Sequence, residues 1–358
     1  MDEFTYGVRT IQRTILQEKP IVSFLKDRYF PEIIESEKEE VNVEVSRRNT
    51  TLLPAVRRTD SAINSGAVAP HEVRTYVPGY LFYKTVVTIS EANKRVMGEP
   101  TDNPYSPAQR IMQILAEKVD KGIRTSIANI EEAQCSQIIK TGKLITKGLT
   151  QEGAIYDMDE INFGTDSDLV GGALDTLWTT SSDIINSLRD ICLAVYAKGY
   201  VMPTEIVVGK KVLETLLGNS KFMSVLDNRR IEGNMIRAQQ FLGIPGVALN
   251  GVINIPMVGD LMILTYMNDY RYNTSGSVTP MIDENGLLVT SQGWGAMAYA
   301  GLYDKTGSVP NIVAGRTLVH AMEGTPENHF AYSAYVQSAP MGMPAQLDRW
   351  FYKTVVAA

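Results

Sequence analysis

The sequence predicts an α+β protein built from two interleaved domains, and three observations carry that prediction. One long helix with a single apolar stripe runs from Ser106 to Thr141. A succession of strand, helix, helix, strand, strand fills roughly residues 175–325. The final apolar strand, RWFYKTVVA, has no local partner left and must pair well upstream.

Residues 1–31 read as an arm, with a short helical pattern at Val8, Ile11 and Ile15 interrupted by Pro20. An acidic block follows from Glu32 to Glu44, whose six glutamates and one lysine give a local charge of −5. Within it, VNVEV at 41–45 alternates apolar and polar side chains, as a strand does. Residues 46–75 carry Arg47, Arg48, Arg57, Arg58 and Arg74 against Asp60 and Glu72, a local +3, together with Pro54, Gly66 and Pro70. Such a stretch buries little and is too long for an ordinary connection. Strand patterning resumes in TYVPGYLFYKTVVTIS, with a turn at Pro78-Gly79.

Ser106-Pro107 is an N-cap followed by a first-turn proline. Apolar side chains then recur at Ile111, Leu115, Val119, Ile123, Ile127 and Ile130 and continue to Ile138, before Gly142 supplies a stop. At 1.5 Å per residue the helix is about 50 Å long, too long for one compact core to cover. A strand pair is expected over 143–164, in KLITKGL and AIYDMDEINF. Ser181 to Ala197 is a second amphipathic helix, closed by Gly199. TEIVVG reads as a buried strand, KKVLETLLG and DNRRIEGNMIRAQQFLG as helices, and DLMILTYM and NGLLVT as strands. The tail is expected to hold two strand-like stretches around Pro340 and Pro344.

The length, 358 residues, suffices for two cores of ordinary size. With 44% hydrophobic and 21% charged residues, wholesale disorder is excluded. Thirty-four Lys plus Arg against 40 Asp plus Glu leave a net charge of −6, which gives no global reason to hold a polyphosphate. Two cysteines, Cys135 and Cys192, exclude a disulfide framework and a four-cysteine zinc site. The start, MDEFTYGVRT, lacks the pattern of a secretory signal, and no run approaches the roughly 18 apolar residues of a membrane span. Cytosol-like conditions with reduced, buried thiols are therefore expected.

GWGAMA at 293–298 fits a dinucleotide-binding glycine pattern, which also requires an opening helix and an acid about 20 residues on. Asp304 lies 11 and Glu323 lies 30 residues past Gly293, and the residues that follow read as strand, so a glycine-permissive turn is the expectation. HEVR at 71–74 begins like a zinc-protease helix but has Thr75 where the second ligand belongs. DSDLVGG at 166–172 begins like a calcium loop but places Val170 and Leu177 at ligand positions. His71, His320 and His329 belong to no acid–base constellation. No catalytic, cofactor or metal site is expected.

The remaining features are an arm, an acidic block, an arginine-bearing excursion and a one-sided helix. Segments that cannot bury their own backbone suit a subunit whose neighbours complete the burial. The acidic and basic stretches either complement each other across subunits or form solvated faces.

Several motifs carry a family resemblance. Tyr335-Val336-Gln337-Ser338-Ala339-Pro340-Met341 is similar to the C-terminal strand motif of the lambda-like phage major capsid proteins, the phage capsid protein E family. Pro78-Gly79-Tyr80 resembles that family's turn on the returning limb of its extended loop, and Arg110-Ile111-Met112-Gln113 the start of its long helix. The order YMNDYRY, DENGLLVT, YAGLYD resembles its middle domain. The resemblance implies the HK97-like phage capsid fold. It places an N-terminal arm at 1–40, an extended loop with flanking strands at 41–90 and a peripheral domain at 91–174, with the spine helix at 106–141. An axial domain would occupy 175–325, and 326–358 would return to the peripheral domain.

The implied function is a non-enzymatic major capsid protein of a tailed double-stranded DNA phage. It would assemble in the host cytoplasm as hexamers and pentamers into the icosahedral shell of the virion, enclosing DNA without sequence-specific binding or membrane contact. The implied partners are further copies of the chain, a separate scaffolding protein and a portal, with a decoration protein as an optional addition. Candidate subunit contacts are Glu35, Glu37, Glu39 and Glu40, the arginines Arg47, Arg48, Arg57, Arg58 and Arg74, and the turn Pro78, Gly79 and Tyr80. Lys84 lies near the loop, but no motif assigns it a cross-linking partner. The alternatives are another self-assembling shell or tail subunit, and an NAD-type oxidoreductase using Gly293 and Gly295.

Overall fold

The computed structural model describes residues 23–46, 71–94, 106–150, 154–227, 239–240, 244, 246–272, 277–304, 311–322 and 331–357. The chain opens with helix α1 (Phe24–Tyr29), strands β1 (Glu32–Glu35), β2 (Val41–Ser46), β3 (His71–Tyr76) and β4 (Leu81–Val87), and the short helix α2 (Ile89–Ala92). The long helix consists of α3 (Pro107–Glu117), a π-helical stretch (Lys118–Arg124) and α4 (Thr125–Thr141). Strands β5 (Lys143–Leu149), β6 (Ile155–Asn162) and β7 (Val170–Ala173) lead to α5 (Ile184–Gly199), β8 (Glu205–Val208), α6 (Lys210–Gly218) and α7 (Ser220–Asp227). Then come β9 (Gln239–Gln240), β10 (Val247–Ile255), β11 (Gly259–Tyr266), β12 (Asp269–Tyr270), β13 (Thr279–Pro280), β14 (Gly286–Thr290) and β15 (Gly295–Tyr299). The chain closes through β16 (Leu302–Asp304), β17 (Asn311–Val313), β18 (Leu318–Met322), β19 (Tyr332–Ser338), β20 (Pro340–Pro344) and β21 (Trp350–Thr354).

The long helix begins and ends where its local chemistry dictates. Ser106 and Gln109 exchange side-chain and backbone hydrogen bonds in a capping box, with Pro107 in the first turn. Gly142 adopts φ 68°, a left-handed conformation that glycine enters without steric cost. Between these ends, Ile111, Leu115, Val119, Ile123 and Ile127 are all buried at a strict spacing of four. In a regular α-helix each step of four rotates a side chain by about 40°, so the stripe would leave its face within a few steps. The wider π-helical turns at Lys118–Arg124 rotate it back.

This stripe packs under Val87, Val319, Ala334 and Val336 to form a small core. The far end of the helix, from Ala133 to Ile139, enters a second and much larger core. The large core contains a seven-stranded sheet in the order β7-β21-β14-β8-β11-β10-β9. A three-stranded sheet, β18-β19-β4, covers the small core, and another, β1-β15-β20, lies within the large one. Pairs β2-β3, β5-β6, β12-β13 and β16-β17 form separate ribbons.

The final strand does pair far from its neighbours, between β14 and β7. The tail holds three strands rather than the expected two, and residues 326–358 do not return to one place. β19 joins β4 over the small core, where it buries Ala334 and Val336, whereas β21 enters the seven-stranded sheet, where it buries Trp350, Phe351 and Tyr352 in the large core. Residues 24–30 are not a free arm: Phe24, Leu25, Tyr29 and Phe30 are fully buried. Glu32–Glu35, read as part of an acidic block, pairs in parallel with β15. Gly199 is the last residue of α5, and Tyr200 takes the left-handed cap at φ 55°. HEVR is strand rather than helix. Of the helix expected at DNRRIEGNMIRAQQFLG, Gln239–Gln240 is strand, and 228–238 lie outside the described residues.

Candidate functional site

The candidate contact residues fall into three groups. Arg47, Arg48, Arg57 and Arg58 lie outside the described residues. Arg74 sits on β3, where its guanidinium donates to the Phe163 carbonyl at 3.1 Å and anchors the base of the β2-β3 ribbon. Tyr76 adds an edge-on contact with the Phe163 ring at 5.7 Å. The ribbon is in register from Val41↔Tyr76 to Ser46↔His71, so both ends of segment 47–70 leave from its tip.

The acidic turn forms the second group. The Ser36 N–H donates to the Tyr299 carbonyl at 2.9 Å, and the Gly301 N–H donates to the Lys38 carbonyl at 2.8 Å, which fixes the turn beside β15. The Ser36 hydroxyl donates to the Glu40 carbonyl at 3.1 Å and closes it. Glu35, Glu37, Glu39 and Glu40 are all exposed. Glu35 lies 3.6 Å from Arg316, and Glu39 accepts the Tyr303 hydroxyl at 2.7 Å.

Pro78, Gly79 and Tyr80 form the third. A Cβ at Gly79 would meet Thr146 Cγ2 at 2.5 Å, so glycine lets this turn lie against β5. Tyr80 then meets Tyr303 edge-on at 5.6 Å and stacks on Phe82 at 6.3 Å. Phe82 stacks on Tyr335 at 5.5 Å, and the Lys84 ammonium sits over that ring. The structure thus brings the acidic turn and the Pro-Gly-Tyr turn together through Tyr303. Sequence reasoning missed Tyr303, Phe82 and Tyr335, because the contacts join strands hundreds of residues apart.

A buried polar clamp was also missed. Glu131 and Glu132 lie on the inward face of α4, and Glu205 begins β8, all nearly inaccessible. Glu132 accepts the backbone N–H groups of Leu25 and Lys26 and the Tyr266 hydroxyl, at 2.8, 2.9 and 2.8 Å. Glu131 pairs with the Lys26 ammonium and accepts the Tyr299 hydroxyl. Glu205 receives the Arg28 guanidinium through two bonds, the Tyr29 hydroxyl and the Gln292 amide. Burial raises the Glu132 pKa above its ordinary range, against the hydrogen bonds that lower it. The signal available in sequence was two glutamates on a buried helical stripe and one opening an apolar strand.

The other motifs have structural roles. GWGAMA runs into β15 without opening a helix. Trp294 stacks on Trp350 at 4.1 Å, and Gly295 leaves room for the Phe30 ring against its backbone. Asp166 and Asp168 both bind the Lys198 ammonium. His320 lies 3.7 Å from Asp304. Cys135 and Cys192 are buried, and burial pushes the Cys192 thiol up to about 12. Among the described residues no group of three or more His, Cys, Asp or Glu side chains is placed to hold a metal ion.

A family model described as phage major capsid protein E matches residues 7–355. Among solved structures, one described as a prophage capsid protein from E. coli CFT073 superposes with a TM-score of 0.65 at 15% identity, covering 99% of this chain and 98% of that one. A phage-related protein from Bordetella bronchiseptica RB50 superposes with a TM-score of 0.52 at 10% identity, covering 98% of each chain. No curated protein matches the chain. The fold is the α+β, HK97-like fold of phage capsid subunits. With a match over nearly its whole length, the chain belongs to the phage major capsid protein E family, the subunits of phage capsid shells.

Proposed function

We propose that this capsid subunit assembles as hexamers and pentamers into an icosahedral shell around the double-stranded DNA of a tailed phage, with segment 47–70 of each copy lying over a neighbouring subunit. The β2-β3 ribbon carries this reading. Among the described residues it is two-stranded and pairs with no other sheet, and it is held at its base by Arg74 and Tyr76. An isolated two-stranded ribbon is marginal in water, so a neighbour completes its burial. Each exposed ion pair contributes only about 0–1 kcal/mol, and cohesion comes from many repeated contacts. The net charge of −6 suits a wall that encloses DNA without adhering to it.

On the same reading the chain has no enzymatic activity and assembles in the host cytoplasm. A separate scaffolding protein and a portal take part, and a decoration protein is an optional addition. The same reading assigns an extended loop to 41–90, a peripheral region to 91–174 and an axial region to 175–325, with an arm at 1–40 whose residues 24–30 are packed into the large core and a tail divided between β19 and β21. Negative-stain microscopy of the purified chain tests the proposal. Closed icosahedral shells are expected, tubes would indicate a tail-like subunit, and dispersed particles that bind nicotinamide dinucleotide would overturn it.

A further inference from the structure

Residues 23–35 join the large core as a strap with little structure of their own. Helix α1 has six residues, too few to persist alone in water. Strand β1 lies at the edge of its sheet, with β15 as its neighbour among the described residues. The strap is held by its side chains and by two of its backbone N–H groups. Phe24, Leu25, Tyr29 and Phe30 are buried, Arg28 binds Glu205, and Glu132 accepts the N–H groups of Leu25 and Lys26.

Charge is not balanced around Glu132. The ionisable groups that face it are Lys26 and Asp27 on α1, Glu131 and Cys135 on α4, and Tyr266 on β11. Behind Glu131 stands Tyr299 on β15, with Arg316 over its ring at 5.9 Å and paired to Glu35. The Lys26 ammonium pairs with Glu131, so the direct partners of Glu132 are neutral: two N–H groups and the Tyr266 hydroxyl. Ionised together, Asp27, Glu131 and Glu132 would set three negative charges against Lys26, an excess that proton uptake relieves. Burial raises the Glu132 pKa above 4.5 and that of Asp27 above 3.8, the direction this count requires. The site has room for the proton. On Oε1 it can donate to the Tyr266 oxygen at 2.8 Å, while both carboxyl oxygens keep their backbone N–H donors.

We propose that residues 23–35 are a proton-linked latch: docking of the strap on α4 takes up a proton at Glu132, and a rise in pH loosens the strap while both cores stay folded. Undocked, Glu132 meets water and titrates at its ordinary value of 4.5; docked, it keeps its proton to a higher pH. Docking is therefore strongest below 4.5, weakens about tenfold per pH unit between 4.5 and the docked value, and is constant above it. Release uncovers Glu131, Glu132 and Glu205 and frees the edge of β15. The latch is a property of the single subunit and does not depend on how copies assemble.

Hydrogen exchange of the full-length chain tests the latch, read peptide by peptide from below pH 4.5 to above neutrality and corrected for the intrinsic exchange rate. Amides of 24–35 are expected to lose protection about tenfold per pH unit within a window that opens at 4.5, while those of β11 and β14 keep theirs. Glu132→Gln is expected to abolish the slope. Asp27→Asn removes a neighbouring negative charge and is expected to close the window at a lower pH, which decides the matter even if the glutamine variant does not fold. Four results would overturn the latch: protection of 24–35 that is independent of pH, that falls together with β11 and β14, that keeps its slope in Glu132→Gln, or whose window is unmoved in Asp27→Asn.

Discussion

The Glu132 carboxylate accepts the backbone N–H of Leu25 at 2.8 Å, which ties the long helix to a segment 107 positions earlier in the chain. With the Lys26 N–H and the Tyr266 hydroxyl on the same carboxylate, one buried acid holds α1 against both the helix and the seven-stranded sheet. Around it stand Lys26, Asp27 and Glu131.

Because burial raises the Glu132 pKa, the folded state binds its proton more tightly than the unfolded state does. The stabilisation from this group is complete below its ordinary value of 4.5 and is lost as pH rises through the raised value. Glu132→Gln abolishes the titration. Calorimetry across this range is expected to show the unsubstituted protein losing melting temperature relative to the glutamine variant as pH rises. A difference that stays constant with pH would contradict the assignment.

Arg28→Ala leaves Glu205 buried with only neutral donors, Tyr29 and Gln292, in place of a bidentate cation. Removing one partner of a buried pair costs about 3–5 kcal/mol. Urea unfolding is expected to show a loss of this order, and Arg28→Lys to recover only part of it, because an ammonium cannot reproduce the fork. A loss below about 1 kcal/mol, the range of an exposed pair, would mean that the clamp does not hold α1.

Two glycines of the long helix should respond in opposite directions. Gly142 has a positive φ, and a Cβ there would collide with Thr165, so Gly142→Ala is expected to destabilise by at least about 1 kcal/mol. At Gly122 a Cβ meets no atom within 4 Å, so Gly122→Ala is expected to stabilise by about 0.5–1 kcal/mol. Thermal melts of the two variants check both signs.

Reversing Arg57 and Arg58 together to Glu is expected to impair shell assembly while the subunit stays folded. Circular dichroism and microscopy of the double variant separate the two effects. Normal particles would show that these arginines make no required contact between copies.

The ends of the long helix were legible because Ser106, Pro107 and Gly142 act on backbone groups within a few residues of themselves. The π-helical stretch was half legible: the strict spacing of four was visible, but only packing against Val319 and Val336 reveals the rotation it demands. The closing strand announced that it needed a distant partner, yet not that it would lie between β14 and β7. The candidate surface was legible in its charged parts, Glu35 to Glu40, and in Pro78-Gly79-Tyr80. Its aromatic members were not, since Tyr303, Phe82 and Tyr335 carry no mark in sequence that they share a face.

The amino-acid sequence alone determined the α+β class, the extent of the spine helix and the hairpins that close over short separations, because capping, turn and periodicity energies are local. Only the tertiary structure decided which distant strands share a sheet, that residues 24–30 are clamped rather than free, and that an acidic turn and an aromatic row form one surface. Those outcomes depend on burying apolar area and satisfying buried charge between groups far apart in the chain, and no local preference encodes that choice of partner.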